Sequence, residues 1–296
     1  MENKFPMAYA LLLGCFLLSG SNPVFADRFE DDCKVPYPCP NPPPVALVPS
    51  SIEPHQRAIV VWNGNTERLI LSTDLANSPA KLQPRLESLP LPARPVVNKG
   101  TLELFTNLAA LAASKGKDLS GLIGFSAPGT MDENFDVQEF ESLPTLLGYI
   151  NQSLTQIYSQ PSHLDSNTAD LHGDYLRRGF HYLAFDRVTV TEEVRTFPPV
   201  EYRFASAQGY YPLGDSLSQQ DSTQADVVMI TPRPVRFSGQ PVQLLDAFQA
   251  TAAELSSIDP DFDWAAFAGN SPVFVQHVQV AGKSSELKQD IFADFK

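Results

Sequence analysis

The densest set of side chains able to do chemistry lies in "HLDSNTADLHGD", which holds His163, Asp165, Asp170, His172 and Asp174. Imidazole and carboxylate are the ligands divalent metals take, so this stretch would offer a metal centre. The spacing argues against one. His172 stands two residues from both Asp170 and Asp174, and on a helix residues two apart face different ways. A solvated loop running into a helix N-terminus, where Asp suits the dipole, is the expectation. "DPDFD" sets Asp259, Asp261 and Asp263 at the odd positions of a calcium loop. The sixth position, however, is Trp264 where the turn needs glycine, and the twelfth is Asn270 where the loop needs Glu. An acid-rich helix start is expected instead.

"GFSAPG" surrounds Ser126 as a nucleophile elbow would, but Pro128 occupies the place of the second glycine, so a tight turn is expected. "SKGK" puts Ser114 three residues before Lys117, a match that arises readily by chance. His181 and His277 fall in strand-like runs and read as structural residues. Trp62, Tyr210, Tyr211 and Trp264 offer faces on which a sugar stacks, although aromatics spread through strands usually fill a core. No catalytic residue, cofactor or metal ligand set is assigned.

The elements that would position these residues start after a proline-rich stretch. "RAIVVWNGNTERLILSTDLA" flanks Asn63-Gly64, a strong hairpin signal, with runs of β-branched and leucine residues. The first run is apolar on both faces and should be a central, covered strand. Pro90, Pro92 and Pro95 should end the next strand and deliver the chain to Thr101, the cap of a helix carrying Leu104, Leu108 and Leu111. A stripe of Leu143, Leu146, Leu147, Ile150, Leu154 and Ile157 marks a second helix, and 169–178 a third, closed by Gly179. "FHYLAFDRVTV", "VEYRFAS", "DVVMITP" and "VRFSG" read as strands, with Glu201 and Arg203 on a wet face. A further helix over 244–258 precedes a final strand, "PVFVQHVQVAG". Strands and helices cluster rather than alternate. The fold expected is α+β, a mostly antiparallel sheet with three or four helices packed on it, as a single domain over 55–296.

Residues 1–26 read as a cleaved signal peptide: Lys4, about twelve apolar residues, then Val24 and Ala26 at the −3 and −1 positions. "LLGC" at 12–15 also matches a lipobox, yet the apolar run continues past Cys15, so ordinary cleavage is expected. Export to the periplasm or the medium follows, with no stable membrane anchor after cleavage. Residues 27–54 form a Pro-rich extended leader. In an oxidising compartment Cys33 and Cys39 could close a small disulfide loop worth roughly 2.4 kcal/mol before strain. The formal charge of −13, with no cluster of Lys or Arg, disfavours nucleic acid and anionic membranes as partners.

"WNGNTERLILSTDL" leading to "LPLPARPVV" and "GTLELF" resembles the start of a family known as domain of unknown function 2330. "YLRRGFHYLAFDRV", "VEYRFAS", "YYPL" and "DVVMITP" extend the likeness over most of 57–295. The resemblance implies an exported bacterial protein whose family has no assigned activity. Two functions stay open: a non-catalytic envelope or extracellular module that binds a ligand or envelope component, and a hydrolase or metal enzyme with a site assembled from distant residues.

The exported protein should start at or near Asp27, carry no lipid, and yield Cys33 and Cys39 as one linked peptide in a non-reduced digest. Intact mass and peptide mapping check both; a diacylglyceryl group on Cys15 or two freely alkylated thiols would contradict them.

Overall fold

Asn63 and Gly64 turn the chain at the centre of the fold. Gly64 takes φ +100°, a conformation open to glycine and costly for other residues. Asn63 Oδ1 accepts the N–H groups of Asn65 and Thr66 at 3.0 and 2.9 Å. This turn joins β1 (Ser51–Trp62) to β2 (Thr66–Asn77). The structure, a computed structural model, describes residues 29–30, 33–34, 51–77, 83–132, 134–159, 163–164, 166–213, 222–269, 271–283, 287 and 289–296. The signal peptide, most of the leader, Asp165 and the Cys33–Cys39 bridge lie outside the described residues, as does the side chain of His163.

After β2 come β3 (Gln83–Leu91), β4 (Val96–Lys99), α1 (Leu102–Ser114), β5 (Asp136–Glu139), α2 (Leu143–Tyr158) and α3 (Ser166–Arg177). Then follow β6 (Tyr182–Val190), β7 (Val200–Ala205), β8 (Gly209–Tyr211), β9 (Ser222–Thr231) and β10 (Val235–Gly239). The chain closes with β11 (Gln243–Ala250), α4 (Ala252–Ile258), α5 (Trp264–Ala268), β12 (Val273–Lys283) and β13 (Ile291–Phe295).

The main sheet runs β11-β12-β9-β1-β2, with β7 and then β4 continuing from the first half of β2. β9 and β1 are parallel; the other long ladders of this sheet are antiparallel. A second sheet pairs β3 with β6, and a third, smaller one runs β8-β13-β10. The fold is thus α+β and sheet-dominated, as the clustering of elements suggests.

One face of the main sheet packs Ile59, Val61, Ile70, Val228, Ile230 and Val275 against α1, α4 and α5. The opposite face packs Ala58, Val60, Leu69, Leu71, Val227 and Met229 against β3, β6 and the third sheet. α2 covers the far side of β3 and β6 through Leu146, Ile150 and Leu154. β1 is central and buried on both faces, as its composition requires. No helix among the described residues is long and apolar enough to cross a membrane.

Several local expectations are corrected. The expected start of the domain at residue 55 falls inside β1, which begins at Ser51. Pro54 is tolerated there because the ladder to β2 slips between Ile52 and His55, a bulge that needs no donor from proline. Pro90 lies within β3 rather than ending it. Thr101 precedes α1 in extended geometry, but its side chain makes no capping bond.

The helix expected over 244–258 divides. Residues 243–250 are the edge strand β11, and Thr251 and Glu254 form a capping box that starts α4 at Ala252. Glu201 is not on a wet face: it is buried by an ion pair with Arg68. Trp62, Tyr210, Tyr211 and Trp264 are all core residues, which removes them as a sugar platform.

Leu71→Ala, in the doubly covered β2, should cost about 3 kcal/mol in urea unfolding, whereas Leu244→Ala on the edge strand should stay within about 0.5 kcal/mol. Equal costs would contradict the layering.

Candidate functional site

The helix-covered face of the main sheet is apolar over one half and polar over the other. Strand parity puts His55 and Arg57 of β1, Ser72 and Asp74 of β2, Gln224 and Asp226 of β9, and His277 and Gln279 of β12 on the polar half. Arg57 makes a two-pronged pair with Asp74 at 2.9 and 3.0 Å. The Thr196 hydroxyl donates to Asp74 at 2.6 Å and accepts the Ser126 N–H at 2.7 Å. Ser126 is thereby a backbone prop for this network. It is followed by the two-residue strand Ala127–Pro128 and no helix, so it forms no elbow.

Asp226 is the hub of the same face. Its Oδ2 accepts His55 Nε2 at 2.8 Å and Gln224 Nε2 at 2.6 Å. Its Oδ1 accepts His277 Nε2 at 2.8 Å and Gln279 Nε2 at 3.2 Å. Burial pushes the carboxyl up, but the hydrogen bonds from His277, His55 and Gln224 prevail and hold it far below the usual carboxylate range. The ionised acid therefore fixes both imidazoles with Nε2–H inward. His277 Nδ1 is buried with no partner among the described residues. A carboxylate-anchored imidazole is the base half of a nucleophilic dyad, which needs a hydroxyl or thiol within hydrogen-bond reach. Among the described residues no hydroxyl bonds to it, and no trio of His, Cys, Asp and Glu could hold a metal.

The centre of the cluster is covered, while the His55 side chain stays 19% exposed. Asp226 is 0% exposed and lies directly beneath Gly121, where a Cβ would fall 2.3 Å from Asp226 Oδ1. Glycine is required at 121 by this approach of backbone to carboxylate. The segment carrying it is pinned on both sides, by Lys117 to Asp246 and by the Arg57 bond to the Gly124 carbonyl.

The other end of the same face opens into a cleft of about 700 Å³ beside the β1–β2 turn. Its floor is Arg68, which donates to Glu201 at 2.7 Å through Nε and to Asp259 through Nη1. Burial lowers the guanidinium's pKa, yet the hydrogen bonds and charges of Asp259 and Glu201 raise it further, so the group stays cationic. Phe262 lies over Arg68, ring centroid 4.9 Å from Cζ, and meets Trp264 and Phe267 edge-on. Arg203 shares Glu201 through its Nε. Glu67 lines the cleft as well. Burial pushes its carboxyl well above the usual range, against one backbone hydrogen bond from Tyr210.

The acidic triplet is thus dispersed. Asp259 is buried on Arg68, Asp263 caps α5 by accepting the Ala266 N–H at 2.9 Å, and Asp261 stands exposed at the cleft rim. In α3, Asp170 is exposed and His172 buried, the divergence that their spacing implies. Asp174 pairs with Arg177 and Arg178, Ser114 donates to the Leu111 carbonyl, and His181 bonds the Phe140 carbonyl. Of the residues that converge, His277 is expected as a structural strand residue, whereas His55 and Asp226 are not singled out by the sequence. The alternation of β9 and β12 was visible, but their register with β1 was not. No family model, no curated protein and no solved structure matches the chain.

Asp226→Asn should lower stability at pH 7 by about 2–4 kcal/mol, since it removes a buried charge that accepts four bonds. The folded pKa of Asp226 is depressed. Its contribution is therefore full above the unfolded value of about 4 and is lost as pH falls from there toward the folded value. The variant's acid-unfolding limb should be flatter than the wild type's below about pH 4. Parallel limbs from pH-dependent urea melts would contradict the assignment.

Proposed function

We infer that the protein is an exported, non-catalytic binding module of the periplasm or extracellular space, with the open cleft as its binding site. One observation carries the reading: among the described residues no hydroxyl or thiol bonds the imidazoles on the covered Asp226, and the open cleft lacks a paired nucleophile and base among its lining residues. A cleft of this size with two aromatic walls and a few polar groups is the usual form of a ligand site. Export rests on the signal-like residues 1–26, and the likeness to domain of unknown function 2330 belongs to the same proposal. So does the view of residues from about 55 onward as one functional unit with no required cofactor.

Incubation with fluorogenic ester, glycoside, phosphoester and peptide substrates should give the same background rate for wild type and His277→Gln. Turnover lost by about tenfold or more in the variant would move the protein to the hydrolase class. On the binding side, a concentrated extract of the exported fraction should raise the melting temperature, as any ligand of the folded state does, and Arg203→Ala should abolish the rise. A rise unaffected by Arg203→Ala and Phe262→Ala would remove the cleft from the account.

A further inference from the structure

The cleft presents two guanidinium groups with donors to spare, Arg203 and Arg94, in a chain whose formal charge is −13. Arg68 at its floor is neutralised by Glu201 and Asp259. Arg203 spends only its Nε on Glu201; among the described residues neither of its Nη atoms has a bond, and the side chain is 44% exposed. Arg94, also lining the cleft, is exposed and has no ion-pair partner among the described residues. Asp263 caps the start of α5 and Asp261 stands exposed at the rim; neither is ion-paired with Arg203 or Arg94 among the described residues.

Beside the arginines stands an apolar wall, Phe262 and Phe267, with ring centroids 5.8 Å apart. Arg203 Cζ lies 5.9 Å from the Phe262 centroid, so charge and ring are within the span of one small molecule. Free guanidinium N–H groups recognise oxyanions through paired, charge-assisted bonds, and an aromatic wall recognises a flat or apolar body.

Resting on the reading of the molecule as a binding module, we propose that the cleft takes an oxyanion, carboxylate or phosphate, joined directly to an apolar or ring-shaped group. The anion sits on Arg203 and Arg94, and the apolar part on Phe262 and Phe267. Arg68 fixes the floor and makes no bond to the ligand that would require it to leave Glu201 and Asp259.

The test is calorimetric titration of the purified protein with phenylacetate, phenyl phosphate, neutral phenylacetamide and acetate. Either aryl oxyanion should bind with Kd of about 1 mM or tighter, and the amide and acetate at least about tenfold more weakly. The tighter of the two aryl oxyanions identifies the anion. Arg203→Ala should weaken the aryl oxyanion about tenfold, and Arg203→Lys should recover only part of this, because a point charge does not replace the fork. Arg94→Ala, at an exposed position with no ion pair among the described residues, keeps the test independent of folding and should weaken binding severalfold. Amide binding as tight as the acid's, weakened by Phe262→Ala but not by Arg203→Ala, would overturn the oxyanion while leaving the cleft a binding site. No saturable binding of any probe up to about 10 mM would overturn the proposal, and the melting shift with exported extract then decides separately whether the binding reading survives.

Discussion

Arg68 lies in a sheet covered on both faces, and a guanidinium there is tolerated only if acids are brought to it. Glu201 from the neighbouring strand and Asp259 from the loop after α4 meet that demand. Their positions determine much else. Asp259 also accepts the Trp264 indole N–H at 3.1 Å through its carbonyl, which seats α5 and aims Phe262 over Arg68. Glu201 binds Arg68 through one oxygen and Arg203 through the other. The cleft wall is therefore a consequence of neutralising one buried charge.

The far end of the same face obeys the same rule with the signs reversed. There the buried charge is a carboxylate, Asp226, and two imidazoles and two amides surround it. The two ends differ in what covers them. Gly121 closes down on Asp226 to a distance no side chain would permit, whereas Phe262 stacks over Arg68 and the cleft opens beside it. A cluster of His and Asp is often taken as a sign of catalysis, but access decides whether such groups act on a substrate. Here Asp226 of β9 ties in β1 through His55 and β12 through His277.

Much of this frame was legible in the chain. Asn63-Gly64 marked the hairpin, the two-faced apolar run of β1 marked a central strand, and Leu146, Ile150 and Leu154 marked the buried stripe of α2. The capping box of Thr251 and Glu254 was equally readable and would have divided 244–258 correctly. Residues 243–250 read as helix because Leu244, Leu245 and Phe248 fit a helical stripe, and an edge strand with one partner has little β signal of its own. The sites were not legible for a different reason. His55 and Asp226 are 171 positions apart and Arg68 and Asp259 are 191 apart, so only the ladder register brings them together. Glu201 looked solvent-facing because alternation shows which face a residue takes and not what lies beyond that face.

The proposed division of labour is binding at the open end of the face and cohesion around Asp226. Its most direct test is the map of backbone and side-chain NMR shifts changed by a saturating aryl carboxylate. Changes are expected at Arg94, Arg203, Phe262 and Phe267, with His55, Gly121 and His277 unmoved. Changes concentrated at His55, Gly121 and His277, with the cleft silent, would contradict it.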